Sequence, residues 1–326
     1  LPIWLVVNKH GMTGFTAAWD MSKQPDQWKR LGEIVAERNP KRIALNISRD
    51  SAFADGLSHS EYTQLANALP AGFQDRIVSS YPLAIAWLET RTSAEMQRYP
   101  EILRIAHAVL AEGFSGKVVK PGVTTPRDLE WWFRQRTTDL GLVNWSQPSV
   151  RILRQGAPGA GLRDKDAVIE KGDMLHIDLT MTYLGLRTDM QHLAYVLKDG
   201  ETDAPEGLKA GLRDANAVQD AITSQFRVGV TGNAILARAR AAATAQGIAP
   251  WIYSHPIGFY GHGPGSSIGL SEEQDFVPQG EYPLRANILW SIESRASRAV
   301  AEWGGQPVYF ETEEDAFFDG KLVSYP

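Results

Sequence analysis

Residues 174–196, MLHIDLTMTYLGLRTDMQHLAYV, decide how this chain is interpreted. The stretch contains two runs in which apolar and polar residues tend to alternate, Met174–Thr182 and Leu186–Val196. Tyr183, Leu184 and Gly185 connect them. Alternation with a period of two is typical of half-buried β-strands, so the stretch predicts an antiparallel hairpin.

Two acidic residues, Asp178 and Asp189, lie at similar distances on either side of this connection. Antiparallel pairing would place them roughly opposite one another on one face of the hairpin. Facing carboxylates repel, and one of them would have to stay protonated unless a cation lies between them. The hairpin therefore indicates a cation site.

A second hairpin repeats the feature. Strands are predicted at Ala286–Glu293 and Pro307–Phe318, joined through Trp303-Gly304-Gly305, and Glu293 and Glu313 are symmetrical about Trp303. His255 precedes this pair and adds a candidate imidazole ligand. Carboxylates with an imidazole suit hard or borderline divalent ions, and two such ions about 3.5–4 Å apart can share bridging carboxylates.

Each of these residues also has a purely structural reading. Asp178 alone could be a hydrogen-bonded acid in a strand, and His255 before Pro256 could be a packed or capping histidine. Glu311 shares a strand face with Glu313, so alternation does not separate the two. Five ligand-type residues in this order, with two acid pairs centred on hairpin turns, favour the metal site.

The elements before each hairpin also repeat. Helices are predicted at Glu101–Phe114 and Thr125–Leu140, followed by a strand at Ser149–Arg154 and the first hairpin. Helices at Pro205–Phe226 and Thr231–Gln246 precede the second hairpin. The order helix, helix, strands thus occurs twice, which suggests a duplicated half-domain packed about a pseudo-twofold axis.

The first ninety or so residues follow a different, α/β pattern. We place a domain boundary near residue 91, because Thr92-Ser93 followed by Glu95 is a helix-capping signal, which gives domains at 1–91 and 92–326. The first domain is predicted to contain strands at Trp4–Val7, Arg42–Ser48 and Ile77–Ser80 and helices at Asp26–Arg38, Ser60–Leu69 and Pro82–Thr92.

Composition narrows the function. The 326 residues suit two domains, and 43% hydrophobic with 22% charged residues is typical of a globular protein. A net charge of −5 without clustered Lys and Arg argues against nucleic-acid binding. The absence of cysteine excludes disulfides, thiolate metal sites and a Cys nucleophile. We expect no membrane span; the chain starts at Leu1, so an exported form stays open beside the default expectation of a cytoplasmic protein.

With these residues in place, the sequence resembles the pita-bread metallopeptidase family, which includes Xaa-Pro aminopeptidase, prolidase, methionine aminopeptidase and creatinase. Asp178 and Asp189 keep the separation of that family's two Asp ligands, and His255 and His262 keep the separation of its two His residues. Glu293 in Trp-Ser-Ile-Glu-Ser and Glu313 in Glu-Glu-Asp-Ala-Phe-Phe resemble its first and last Glu. The resemblance covers about residues 95–320.

The resemblance implies an α+β pita-bread catalytic domain with duplicated halves, preceded by a creatinase- or prolidase-like amino-terminal α/β domain, and a homodimer. It implies two divalent metal ions, with manganese expected and cobalt, zinc or iron as alternatives. Asp178 would bind one ion, Asp189 and Glu313 would bridge both, and His255 and Glu293 would complete the second site.

The implied activity is Xaa-Pro aminopeptidase or dipeptidase cleavage of short peptides by a metal-bridging hydroxide. Glu293 would also shuttle the proton, and His262 would contact substrate and stabilise the oxyanion. A creatinase-like amidinohydrolase and a catalytically silent peptide-binding protein are the alternatives.

Some positions stay open or depart from the family. His262 lies in Gly-His-Gly, as in methionine aminopeptidases, so it is an alternative metal ligand to His255. The loop Arg154–Gly161 lacks the His that several members have before the first Asp, and Ser294-Arg295 replaces the Pro-Gly that often follows the first Glu. These differences fall in the expected substrate pocket and leave specificity open.

Overall fold

The computed structural model of the chain describes residues 19–49 and 51–326. The predicted strand Trp4–Val7 lies outside these residues. The chain divides between Ile85 and Ala86 into two compact units, whereas the sequence places the boundary near residue 91, and the domain limits stay a prediction. No helix of the described part has the length and apolarity that a membrane crossing needs.

The first unit pairs two short parallel strands with helices. Strand β1 (Ile43–Leu45) pairs with β2 (Ile77–Ser79), and helix α1 (Gln27–Arg38) packs against α2 (His59–Ala68). Asp26 caps α1 by accepting from the backbone N–H groups of Trp28 and Lys29. The helices approach closely at Gly32, where a Cβ would lie 2.1 Å from the carbonyl oxygen of Ala68.

A third helix, α3 (Tyr81–Glu89), contains the point at which the two units divide. The second unit has four longer helices. The predicted capping signal begins the first of them, since Thr92 forms a capping box with Glu95. Thr125 and Thr231, predicted only as the first residues of helices, also act as caps and accept from backbone N–H groups of the helices that follow. These helices are α4 (Ser93–Gly113), α5 (Pro126–Asp139), α6 (Glu206–Thr223) and α7 (Gly232–Ala245).

One antiparallel sheet runs through this unit in the order β3-β4-β5-β9-β8-β6, with β7 paired to β8 and β10 to β9. The two hairpins, β4–β5 and β8–β9, lie side by side at the centre of the sheet, and a shorter strand flanks each of them. The predicted duplication is therefore visible in the strand order. The strands are β3 (Ser149–Leu153), β4 (Met174–Tyr183), β5 (Leu186–Tyr195), β6 (Ala249–Ile252), β7 (His255–Ile257), β8 (Ile288–Val300), β9 (Gln306–Phe318) and β10 (Val323–Ser324).

Each half of the sheet is built mainly around its own apolar core. Tyr99 and Leu129 from α4 and α5 pack in one cluster with Ile177 of β4. Ile222 from α6 packs in the other with Trp290 of β8. Because side chains alternate along a strand, the residues next to Ile177 and Trp290 point to the opposite face. That face carries the acidic residues.

The first hairpin has a different register from the predicted one. Leu184 (φ 53) and Gly185 (φ 81) form a two-residue turn, and Tyr183 pairs with Leu186 instead of belonging to the connection. Asp178 therefore faces Gln191, and Asp189 faces Thr180. The expectation that Asp178 and Asp189 lie opposite one another is wrong: they share a face but are diagonal neighbours.

The second hairpin has the predicted register, since Glu293 and Glu313 are direct cross-strand partners. The two hairpins are joined through β5 and β9. Among the described residues, these strands pair in register at one position, Gln191 with Glu313. The junction of the two halves therefore coincides with the acidic cluster.

Candidate metal centre

Five strands bring the predicted metal ligands together. Asp178 comes from β4, Asp189 from β5, His255 from β7, Glu293 from β8 and Glu313 from β9. Ligand atoms of Asp178, Asp189 and Glu313 lie within 4.8 Å of one another, and so do those of His255, Glu293 and Glu313. The two groups overlap at Glu313, so the five residues form one continuous cluster.

His262 also reaches this cluster. Its ligand atom groups with those of Asp189 and His255, and its Nε2 lies 4.0 Å from Oδ2 of Asp189. His255 is buried, whereas 58% of the His262 side chain is exposed. Asp189 and Glu313 are the two carboxylates that each belong to two groups. His255 thus lies inside the cluster and His262 at its opening.

The acids are crowded enough to hold protons when no cation is present. Burial raises the pKa of Asp178 to about 6, and burial together with the charge of Asp178 raises the pKa of Glu313 to about 8. Burial and the charge of Glu313 also raise the pKa of Asp189 and of Glu293 well above their ordinary values. The cluster carries negative charge that only a cation or protons can neutralise.

The imidazole of His255 is oriented as a metal ligand would be. Its Nδ1 lies 3.2 Å from the carbonyl oxygen of Pro256, to which it donates. Its Nε2 points into the cluster, 3.7 Å from Oε1 of Glu313, and is buried without a hydrogen-bond partner in the described chain. Burial lowers the pKa of His255 to about 3, which keeps the ring neutral. A metal-ligating histidine typically donates its second N–H in this way.

Oδ1 of Asp178 is a second buried atom without a hydrogen bond among the described residues. An unpaired buried carboxylate oxygen is costly, and so is an unpaired imidazole nitrogen. Four carboxylates and one imidazole form a donor set suited to Mn²⁺, Co²⁺, Zn²⁺ or Fe²⁺. The residues of the cluster therefore fit a pair of divalent ions.

Sequence reasoning did not find Gln191, which lies between the acids. Its Nε2 donates to Oε1 of Glu293 at 2.9 Å and to Oε2 of Glu313 at 2.7 Å. Its Oε1 lies 2.9 Å from Nε2 of His176, which completes the amide's hydrogen bonds. Ser291 donates to the other oxygen of Glu313 at 2.5 Å. The hairpin register was the signal that could have identified Gln191, because it faces Asp178.

Hydrogen bonds to Asp315 fix the backbone at Asp189. Its backbone N–H donates to Oδ2 of Asp315 at 3.2 Å, and the hydroxyl of Tyr99 donates to the same oxygen at 2.8 Å. Tyr99 and Asp315 are both fully buried. The backbone position of Asp189 is thereby fixed by a contact from helix α4 through strand β9.

Glu311 has a different role from Glu313. It pairs with Arg151 of β3, and its Oε1 lies 3.4 Å from Nη1 of Arg295 on β8. Among residues 19–49 and 51–326, Glu311 belongs to none of the groups of side chains that could hold a metal ion. The two arginines therefore neutralise Glu311 beside the cluster, and Arg295, at a position where the sequence departs from the family pattern, supplies one of these charges.

Aromatic rings surround His262. Trp145 and Tyr253 each contact its ring edge-on, with centroids 5.7 Å away. Phe259 and Tyr260, in the same loop as His262, are partly exposed. Gln155 and the rest of the loop Arg154–Gly161 add no residue to the metal-type groups among the described residues. An aromatic rim with one imidazole thus lies at the opening of the cluster.

The model of metallopeptidase family M24 matches residues 97–314, which include Asp178, Asp189, His255, His262, Glu293 and Glu313. The chain belongs to metallopeptidase family M24. This family consists of metal-dependent peptidases with the α+β pita-bread fold. No curated protein matches its sequence.

Solved structures share the fold of this M24 protein. An X-Pro aminopeptidase from Thermotoga maritima MSB8 gives a TM-score of 0.63 at 18% identity, over 98% of this chain and 82% of that one. A dipeptidase from Pyrococcus horikoshii OT3 gives 0.59 at 17%, over 98% and 81%. A methionine aminopeptidase from Rickettsia prowazekii gives 0.53 at 16%, over 73% and 98%.

Proposed function

We propose that this M24 protein is an Xaa-Pro aminopeptidase or dipeptidase that cleaves short peptides with two divalent ions, of which manganese is the first candidate. Asp178, Asp189, His255, Glu293 and Glu313 would hold the ions, with Asp189 and Glu313 shared between them. The observation that carries the proposal is the overlap of two ligand groups at Glu313 together with the unpaired Nε2 of His255.

The extent of the structural similarity supports the Xaa-Pro type. The X-Pro aminopeptidase and the dipeptidase named above match 98% of this chain, including its first unit. The methionine aminopeptidase matches 73% of this chain while 98% of its own length is covered. This chain therefore has a region beyond a methionine aminopeptidase layout.

The residues around the cluster have roles that follow from their contacts. When bound, a pair of divalent ions supplies Lewis acidity to a carbonyl and makes water a nucleophile near neutral pH. Glu293 is partly exposed and would accept the proton of the attacking water at its carboxylate and pass it to the leaving nitrogen. His262, at the opening, would donate from its imidazole to the carbonyl oxygen of the scissile bond.

Orientation comes from groups that need not touch substrate. Gln191 fixes Glu293 and Glu313 relative to each other through one amide nitrogen, and Pro256 fixes the tautomer of His255. Trp145 and Tyr253 limit the rotation of His262. Such support is what holds reacting groups at productive distances.

The test is a substrate panel on metal-stripped protein reloaded separately with Mn²⁺, Co²⁺, Zn²⁺ and Fe²⁺. The panel contains Xaa-Pro dipeptides, longer Xaa-Pro peptides, matched Xaa-Ala peptides and creatine. We expect metal-dependent release of the residue before proline. Metal-independent hydrolysis of creatine would replace the proposal with an amidinohydrolase, and peptide binding without turnover under saturating Mn²⁺ would indicate a silent binding protein.

Matched variants make the panel specific to the cluster. Asp178→Asn should remove both metal binding and hydrolysis, whereas Asp166→Asn should keep them, since Asp166 is exposed and pairs with Arg127 at 2.6 Å on the surface. Full activity of the Asp178→Asn variant would refute the proposed centre.

We also propose that the protein forms a homodimer that binds short peptides and has no nucleic acid or membrane partner. The net charge of −5 supports the absence of a nucleic-acid footprint. Sedimentation velocity across a concentration series measures the assembly, and a single monomeric species at micromolar concentration would contradict the dimer.

A further inference from the structure

A second group of side chains that could bind a metal ion lies on the other face of the sheet. His107 belongs to helix α4, His192 to β5 and Glu314 to β9. Their ligand atoms lie within 4.8 Å of one another. His192 and Glu314 follow Gln191 and Glu313 along their strands, so alternation points them away from the catalytic cluster and toward α4.

The distances fit a small cation. Nε2 of His107 lies 3.2 Å from Oε1 of Glu314, and Nε2 of His192 lies 3.2 Å from Oε2 of the same carboxylate. A tetrahedral zinc ion with bonds of about 2.0–2.1 Å separates its ligand atoms by about 3.3 Å. The carboxylate and both imidazoles are therefore already near the spacing of zinc ligands.

The rings are oriented for a ligand. Nε2 of His192 is buried and has no hydrogen bond within the described chain, although it lies beside the carboxylate. The imidazole of His107 also bonds to the backbone of Leu103, one helical turn earlier. The two rings meet edge-on with centroids 5.4 Å apart, and Nε2 of each lies 3.2 Å from an oxygen of Glu314.

Solvent can reach the group. The side chains of His107, His192 and Glu314 are 45%, 32% and 22% exposed. A partly open site of two imidazoles and one carboxylate leaves a coordination position for water, and imidazole favours Zn²⁺, Cu²⁺, Ni²⁺ and Fe²⁺.

We propose that His107, His192 and Glu314 form an additional zinc site, separate from the catalytic cluster, that ties helix α4 to strands β5 and β9. The site lies directly behind Gln191 and Glu313, the position at which these two strands pair. An ion there would link three elements across the junction of the two halves. The site could be filled while the cluster around Glu313 is empty.

Zinc counting tests the site. Protein dialysed against Zn²⁺ and freed of excess ion is analysed by mass spectrometry of the metal, for the wild-type chain, His107→Asn, the double variant His107→Asn/His192→Asn, and His59→Asn. His59 is an exposed histidine at the start of α2 and serves as the matched control. We expect the double variant to hold about one zinc ion fewer than the wild type and the control.

Two further measurements keep the test decisive. Asp178→Asn should keep the additional zinc, so a failed catalytic centre and a failed additional site give different results. His107→Asn changes a half-exposed side chain and should weaken this zinc at least about 10-fold, the lower scale for residues that merely support a ligand. The proposal would be overturned if the wild type, His107→Asn and the double variant His107→Asn/His192→Asn held equal amounts of zinc and showed an equal zinc-induced rise of Tm. The three side chains would then be an ion-paired group only.

Discussion

The two central hairpins carry one acid pair each but present it differently. In β8–β9 the two glutamates are direct cross-strand partners, whereas in β4–β5 the two aspartates are diagonal and Gln191 fills the place opposite Asp178. Like charges directly opposite on a sheet are destabilising. The first hairpin thus supplies an amide that hydrogen-bonds both glutamates of the second. One hairpin concentrates negative charge and the other distributes it.

The largest effect should come from the shared carboxylate. Glu313 belongs to both ligand groups and Glu293 to one, so Glu313→Gln should remove both ions and reduce hydrolysis below detection. Glu293→Gln should keep one ion and lose the proton acceptor, with kcat lower by about 10²–10⁴-fold. Metal content and turnover measure the difference. Equal metal loss in the two variants would contradict the shared role of Glu313.

An intermediate effect is expected at Gln191. Gln191→Leu removes the amide that orients Glu293 and Glu313, and we expect metal affinity or kcat to fall by about 10–100-fold, as for other residues that support ligands. Gln135→Leu is the control, since Gln135 contacts Asp139 on an exposed face of α5. A Gln191→Leu variant with wild-type metal affinity and turnover would show that the two hairpins act independently.

Stability of the metal-free protein should depend on pH. The pKa of Glu313 is raised from 4.5 to about 8 by burial and Asp178. A carboxyl with a raised folded-state pKa binds its proton more tightly when folded, so stability falls as pH rises toward that value. Burial lowers the pKa of His255 to about 3 and of His176 to about 4, which acts oppositely, but only below their ordinary 6.5.

Between pH 6.5 and 8 the carboxyl effect therefore remains unopposed by these histidines. We expect metal-stripped protein to lose about 2 kcal/mol of unfolding free energy across this range for one proton. Urea unfolding at several pH values measures it. Glu313→Gln should reduce the loss, and bound metal should do so as well; stability rising with pH over this range in metal-free protein would contradict the crowding of the acids.

The smallest effect concerns the turn that sets the first register. Leu184 is 66% exposed and adopts a left-handed backbone, φ 53. Asparagine tolerates this conformation and is favoured before glycine in two-residue hairpin turns. Leu184→Asn should raise the unfolding free energy by roughly 0.5–1 kcal/mol, whereas Leu322→Asn, at another exposed leucine, should not. A destabilised Leu184→Asn variant would contradict this account of the turn.

The same turn explains what the sequence could and could not predict. Residue spacing about the two turns was sufficient to select both acid pairs, although alternation alone did not separate Glu311 from Glu313, and the capping signal at Thr92 was sufficient to begin one helix. Leucine is an unusual residue for a left-handed turn position, so the connection was assigned three residues. That error hid Gln191, since a change of register changes every cross-strand partner.

The His107, His192 and Glu314 group was beyond sequence reasoning for another reason. His192 and Glu314 lie on different hairpins, and their approach depends on how β5 meets β9. His107 reaches them only because α4 packs over that junction. Periodicity within one element carries no information on such contacts.

The single registered pair between β5 and β9 has a mechanical consequence. Each half keeps most of its own core, but Leu153 and Met174 belong to the second core and Ile257 and Leu289 to the first, so a fluctuation that separates β5 from β9 would break apolar contacts as well as the hydrogen bonds that meet there. Two of the residues that hydrogen-bond there are Gln191 and Glu313, which meet in the candidate metal centre. Separation of β5 from β9 would therefore disrupt the metal centre and the sheet together. Hydrogen exchange of the backbone amides of these two strands would report on both.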